Sequence, residues 1–438
     1  MPLLLNTLYL LLLVAVSPLL LWQTWRRGKR RPGFAARFWG RAPRRLGNRP
    51  CIWFHAVSLG EVKQLRPVVD ELARRRPDWD VFLSTSTATG LAAARREFPE
   101  VVVFFSPLDF SWAVNKAVAR IRPTVLALVE LELWPNLIHS AKKSGARVVV
   151  LNARLGQSSF RGYSQIRWAL APTFRRLDLV AAQTEEYAAR FVALGAELGR
   201  VRVTGSIKYD NLETDRANPR TVALRRALGV SGADVVFVAG STMEGEEAAA
   251  LEAFRAARAS HPRLRLILVP RHPERFDAVA TWLASQGESF IRRSRQGALD
   301  TSRAARPIIL LDTVGELSAV WGLADVAFVG GSLFPGRGGQ NMMEPAAYAA
   351  AVCFGPHTHN FRDAVEGLLA CNGARRISST AGLVHSLRAD LDDPDSATRR
   401  ALAGRDFVLA QHGAATRTIN ELDRLVQTSP SRRLVAAI

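Results

Sequence analysis

Glu61, Glu130 and Glu132 are the acidic residues best placed in this sequence to take a proton from a hydroxyl. Glu130 and Glu132 stand in Glu130-Leu-Glu-Leu-Trp-Pro-Asn136, directly after an apolar run ending at Val129. Buried carboxylates without partners are costly, so two at a strand end point to function more than to packing. Glu61 closes His55-Ala-Val-Ser-Leu-Gly-Glu61, a tight turn into a helix. A carboxylate there can act as a general base. The same position also suits an acidic residue that only complements the helix dipole. Lys208 ends Gly205-Ser-Ile-Lys208, either as a cation of the site or as a solvated linker lysine.

A second set of residues suits an anion. Gly330 to Gly339 is a glycine-rich loop after the apolar run Val326–Val329. Asn341 can cap the helix that follows, and Glu344 lies in its first turn, where a carboxylate suits the hydroxyls of a ribose. Strand, glycine loop and helix start together bring backbone N–H groups to an anion. The spacing matches neither Gly-x-Gly-x-x-Gly nor the P-loop pattern. Arg271, in Pro270-Arg-His-Pro273, offers a planar fork to phosphate oxygens. Gly240 to Glu247 is a small-residue turn that also suits an anion, and Val314-Gly315-Glu316 precedes another helix. His357 and His359 lack an accompanying carboxylate cluster, so no metal site is expected.

Each of these groups follows a short apolar run, and the runs alternate with helical segments. That pattern predicts parallel sheets with helices on both faces, and ligands at the carboxyl ends of the strands. The alternation begins at Cys51, pauses over a polar stretch and restarts at Val235. The expected organisation is a membrane anchor over 1–25, an N-terminal Rossmann-like domain over 26–212 and a linker over 213–234. A C-terminal Rossmann-like domain with a last helix then fills 235–438. Residues 292–306 read as a surface loop and 427–433 as a loose tail.

The chain has 438 residues and a formal net charge of +20, which favours an anionic partner. Residues 1–60 contain no Asp or Glu, and ten Arg or Lys fall between Arg26 and Arg49. Leu3 to Trp25 is apolar enough to be expected as an anchoring or transmembrane helix, and the basic residues behind it place the body on the cytoplasmic side. This points to an anionic membrane surface rather than nucleic acid as the partner of the basic region. Three scattered cysteines fit a reducing compartment.

Carboxylates in one half and phosphate and ribose contacts in the other describe a glycosyl transfer enzyme. The ordered motifs also carry a resemblance. They are His55…Ser58-x-Gly-Glu61, Glu130-x-Glu-Leu-Trp-Pro-Asn136, Asn152-Ala-Arg-Leu155, Gly205-Ser-x-Lys208, Gly240-Ser-Thr-x-x-Gly-Glu-Glu247, Pro270-Arg-His-Pro-Glu-Arg275, Gly315-Glu-Leu317, Gly330-Gly-Ser332 and Gly355-Pro-His357. The set resembles the 3-deoxy-D-manno-octulosonic acid (Kdo) transferases of lipid A assembly, from the N-terminal helix to about residue 370.

The resemblance implies a GT-B fold, two Rossmann-like domains facing a cleft, at the cytoplasmic face of the inner membrane. It implies CMP-Kdo as donor substrate, with no further cofactor, and a phosphorylated, acylated glucosamine disaccharide, the lipid A precursor, as acceptor. Transfer would invert the anomeric centre. Glu61 would be the base, and Glu130 and Lys208 would stabilise the transition state. Pro270, Arg271, Val314, Gly315, Glu316, Asn341, Met342, Met343 and Glu344 would bind CMP. Gln340, Met342, Met343, Met243 and Leu131 depart from the usual family pattern, which has His at 243 and 340. Two other readings are a GT-B transferase that uses a UDP-sugar on a lipid acceptor, and a non-catalytic membrane-tethered binder of anionic ligands.

Overall fold

The computed structural model of the chain describes residues 2–27, 33–295 and 306–427. Most of the expected loop 292–306, most of the tail 427–433 and residues 28–32 of the basic stretch lie outside the described residues. The chain forms two compact units, one of Met1–Asn211 with the segment from His412 onward, the other of Leu212–Gln411.

The first unit holds strands β1 (Cys51–His55), β2 (Asp80–Thr85), β3 (Val102–Phe105), β4 (Val125–Val129), β5 (Arg147–Ala153), β6 (Leu179–Ala182) and β7 (Val201–Val203). They form one parallel sheet in the order β3-β2-β1-β4-β5-β6-β7. Alternate side chains of a strand point to opposite faces. Leu126, Leu128, Val148 and Val150 therefore enter one core with Trp53 and Phe191. Val125, Ala127, Val149 and Leu151 enter the other with Phe54 and Leu65. Burial on both faces explains why these strands read as continuous apolar runs. The helix Ala414–Gln427 places Ala414, Ile419 and Leu422 in the second of these cores, so this last helix packs on the first sheet.

The second unit holds β8 (Val235–Thr242), β9 (Leu264–Pro270), β10 (Phe290–Arg292), β11 (Ile308–Leu310), β12 (Val326–Val329), β13 (Ala351–Phe354) and β14 (Ala374–Arg376). Their order is β10-β11-β9-β8-β12-β13-β14, again parallel. In each sheet the first strand lies centrally and the chain later returns to its other side. The order reverses between β1 and β4, and between β8 and β12. Such reversals open a crevice at the carboxyl ends of the strands.

The expected membrane anchor needs correction. Pro2–Arg27 is a helix of 26 residues. Among the described residues, however, no helix is long and apolar enough to cross a membrane. Asn6, Thr7, Ser17 and Pro18 interrupt its leucine runs. Asn6 Nδ2 donates to Ser111 Oγ at 2.7 Å, and Tyr9 Oη donates to Asp109 at 3.2 Å. The first turns are thus held by polar partners on the protein. The inner-membrane location and transmembrane helix drawn from this segment are withdrawn with it.

Candidate active site

In the first unit, three loops at the carboxyl ends of β1, β4 and β7 carry the expected chemistry. After β1, Ser58 caps the helix Leu59–Gln64. Glu61 N–H donates to Ser58 Oγ at 3.3 Å, while the Ser58 hydroxyl donates back to Glu61 Oε1 at 2.6 Å. Val57 N–H donates to Glu61 Oε2 at 2.8 Å. This reciprocal cap is what Ser-x-x-Glu encodes. It fixes a carboxylate that is only 9% exposed. Burial pushes the Glu61 carboxyl above its ordinary range; the bonds from Ser58 and Val57 oppose this, and the charge on Glu130 adds to it.

After β4, Glu130 takes φ +58°, a left-handed conformation uncommon for a residue with a Cβ. Lys208 Nζ lies 3.5 Å from Glu130 Oε1. Glu132 accepts from Trp134 Nε1 at 3.0 Å. Burial, with the charges of Glu61 and Glu130 adding and the Trp134 bond opposing, raises its carboxyl to about 7. Glu61, Glu130 and Lys208 are therefore brought together, with Glu132 as a third acid.

His55, at the end of β1, is buried with Nδ1 2.9 Å from Ser84 Oγ, and burial beside Arg37 lowers it to about 4. It is a neutral core residue. Asp109 lies in a loop, outside every motif named above. It receives the N–H groups of Asn136 and Leu137 at 3.1 and 2.8 Å, capping from a distance the helix that begins at Pro135. Asp at an ordinary loop position gives no signal for this.

In the second unit the glycine loop behaves differently from expectation. Its N–H groups do meet an anion, but that anion is the protein's own. Glu246 accepts from Gly331 N–H at 2.6 Å, from Ser332 and Leu333 N–H at 2.9 Å each, and from Met243 N–H at 2.8 Å. A Cβ on Gly330 would stand 2.7 Å from Glu246 Oε2 and from Ser241 O, so glycine is required there. Ser241 itself takes φ +56° at a one-residue bulge where β8 pairs with β9. Glu247 is bound bidentately by Arg275, at 2.7 and 3.0 Å, and by Thr242 Oγ1 at 2.8 Å.

The remaining expected contacts fall at the same end of this sheet. Pro270 ends β9, and Arg271 is exposed; its backbone N–H donates to Thr242 O at 3.0 Å, and its guanidinium has no partner among the described residues. After β11, Val314 is 78% exposed, Gly315 takes φ +95° and Glu316 pairs with Arg293 at 3.0 Å. Asn341 Nδ2 donates to Glu344 Oε1 at 3.0 Å, and Asn341 Oδ1 accepts from Met343 N–H at 3.2 Å. Met342 and Met343 bury their side chains. Gln340 leaves Nε2 buried without a partner among the described residues.

Two doubly wound parallel sheets, each with polar loops at its strand-order reversal, are the architecture of a GT-B type enzyme, the class to which many sugar transferases belong. Residues 27–211 match the family model of 3-deoxy-D-manno-octulosonic-acid transferase (kdotransferase). The 3-deoxy-D-manno-octulosonic acid transferase of Bordetella pertussis is 35% identical over 438 residues, covering 95% of this chain and 98% of that one. That of Haemophilus influenzae is 34% identical over 383 residues, covering 86% and 88%. The chain belongs to the Kdo transferase family and is a glycosyltransferase of lipid A and lipopolysaccharide biosynthesis. The UDP-GlcNAc 2-epimerase of Neisseria meningitidis, bound to UDP-GlcNAc, is similar in fold, with TM-score 0.61 and 12% identity over 85% of this chain and all of that one.

Proposed function

We propose that this protein transfers Kdo from CMP-Kdo to a phosphorylated, acylated glucosamine disaccharide with inversion, using Glu61 as general base. The observation that carries this reading is the Glu61 carboxylate. It is nearly buried, held at both oxygens by Ser58 and Val57, and raised in pKa beside Glu130. Each carboxylate oxygen retains a second lone pair for a proton. The acceptor oxygen forms its bond to the anomeric carbon, its proton passes to Glu61, and the bond from that carbon to the CMP phosphate oxygen breaks. A direct displacement of this kind inverts the centre. Lys208, held near Glu130, stabilises charge in the transition state. Arg271, exposed and without a side-chain partner among the described residues, takes the leaving phosphate, and Glu344, oriented by Asn341, takes the ribose. Pro270, Val314 to Glu316 and the backbone of Met342 and Met343 complete the CMP contacts in this reading.

Glu61→Gln tests it. Gln at this position keeps the capping box, so the fold should survive. Transfer from CMP-Kdo, read by mass spectrometry of the lipid product, should fall by roughly 10²–10⁴-fold. Turnover like that of the wild type would refute the base.

A further inference from the structure

Asn152 is the first polar residue of the Asn-Ala-Arg motif, and its side chain is fully buried at the end of β5. It takes φ +53°, at a point where β5 carries one residue more than its neighbour β6. Bulges of this kind re-aim a side chain, and left-handed residues concentrate where the surrounding structure holds them for a purpose. Every polar group of its side chain is used. Nδ2 donates to Gln64 Oε1 at 2.9 Å, on the last residue of the helix that carries Glu61. Oδ1 accepts from Ile207 N–H at 3.2 Å, the residue before Lys208. Its carbonyl accepts from Gln183 Nε2 at 3.0 Å, and the preceding carbonyl, that of Leu151, accepts from Glu130 N–H at 2.9 Å.

Three separate segments, bearing Glu61, Glu130 and Lys208, thus meet at one amide and the peptide before it. Asn211 Nδ2 donates to Lys63 O at 3.1 Å and clips the loop after Lys208 to the same helix. Asp210 accepts the N–H groups of Gly413 and Ala415 at 2.7 and 2.6 Å, so the far end of the loop is fixed too. Lys208 itself has a flexible stem and a long ion pair of 3.5 Å. Its place is therefore set by its backbone.

We propose that Asn152 is a positioning residue for the transfer reaction: its amide locks the Ile207-Lys208 backbone to the Glu61 helix and so holds the Lys208 ammonium beside Glu130. The inference rests on the catalytic role proposed for Lys208. Asn is the fitting residue, since it tolerates the left-handed conformation and supplies one donor and one acceptor in a fixed plane.

A double-mutant cycle tests it. Asn152→Gly keeps the left-handed backbone and removes the amide. Misplacing a catalytic group by about 1 Å can cost about 100-fold, and a fall in kcat of about 10–100-fold is expected, with KM for CMP-Kdo changed far less. In a Lys208→Ala background the same change should cost no more than about threefold, because the group it positions is gone. An equal loss in both backgrounds overturns the proposal and leaves Asn152 a purely structural residue, as does an unchanged kcat in the single variant. If Asn152→Gly does not fold, Asn152→Asp goes through the same cycle. It keeps the acceptor for Ile207 and loses the donor to Gln64, so a smaller loss, about threefold or more, is expected and must again vanish with Lys208→Ala. A Lys208→Ala enzyme with wild-type turnover sinks the role of Lys208 and this inference together. An impaired Lys208→Ala enzyme with additive losses sinks this inference alone.

Discussion

Glu246 Oε2 stands 2.6 Å from Gly331 N, inside the loop that the sequence offers as an anion cradle. With Ser332, Leu333 and Met243 also donating, four backbone N–H groups converge on this carboxylate, which is 1% exposed. Glu246→Gln replaces one acceptor oxygen by an NH2 that points at N–H groups. Leaving buried donors unpaired costs about 1–3 kcal/mol each, more around a charge. The expected loss of stability is about 3 kcal/mol or more, read by denaturant unfolding. A variant as stable as the wild type would mean that the loop does not depend on this carboxylate.

Lys208→Ala should separate catalysis from folding. The Lys208–Glu130 pair is partly open to solvent, with side chains 41% and 25% exposed. Exposed pairs contribute about 0–1 kcal/mol, so the melting temperature should hardly move. Loss of a preorganised charge at the transition state costs about 10²–10³-fold in kcat. A large fall in melting temperature with little change in kcat would assign Lys208 to structure.

The carboxylates predict two opposite pH effects. A base works ionised, and Glu61 is raised by burial. The acid limb of kcat/KM should therefore lie above the ordinary carboxylate range, and activity should increase as pH rises through it. Stability runs the other way for Glu132, raised to about 7 from 4.5 by burial and by the charges of Glu61 and Glu130. A group whose folded pKa is raised binds its proton more tightly when folded. Its ionisation removes stability as pH climbs from its unfolded value through about 7. Glu132→Gln should raise the melting temperature at pH 8 and leave it little changed at pH 4. An equal effect at both values would deny Glu132 this titration.

These effects also mark what the sequence could show. β1 begins at Cys51, β4 ends at Val129, β8 begins at Val235 and β12 spans Val326–Val329, where the apolar runs place them, because strands buried on both faces leave no polar interruption. β10 and β14 follow from no apolar run. Each has only three residues and includes arginine, as in Ala374–Arg376, so pairing to the sheet edge decides them rather than pattern. The Ser58–Glu61 cap joins partners three residues apart, a local pattern that the reading of this stretch as a tight turn into a helix leaves unused. Glu246 lies 85 residues from Gly331, and no local pattern links them. The leucine runs of the first helix suggested a membrane span, and the polar seat of Asn6 and Tyr9 on Ser111 and Asp109 is a tertiary fact hidden from composition.

Arg271 and Arg275, four residues apart, should respond in opposite ways. Arg275 grips Glu247 through two hydrogen bonds of 2.7 and 3.0 Å, and Glu247 is 3% exposed. Arg275→Ala strands that buried carboxylate. Breaking a buried pair costs about 3–5 kcal/mol, and a loss toward the lower end is expected because Arg275 is partly exposed. Arg271 is exposed and, among the described residues, bonded only through its backbone N–H. Arg271→Ala should leave unfolding unchanged and weaken CMP binding by about tenfold or more, as loss of one charge-assisted hydrogen bond does. Calorimetric titration with CMP checks the second, and thermal unfolding the first. CMP affinity untouched by Arg271→Ala would remove this arginine from the phosphate site and leave the donor to Asn341, Glu344 and the loop after β11.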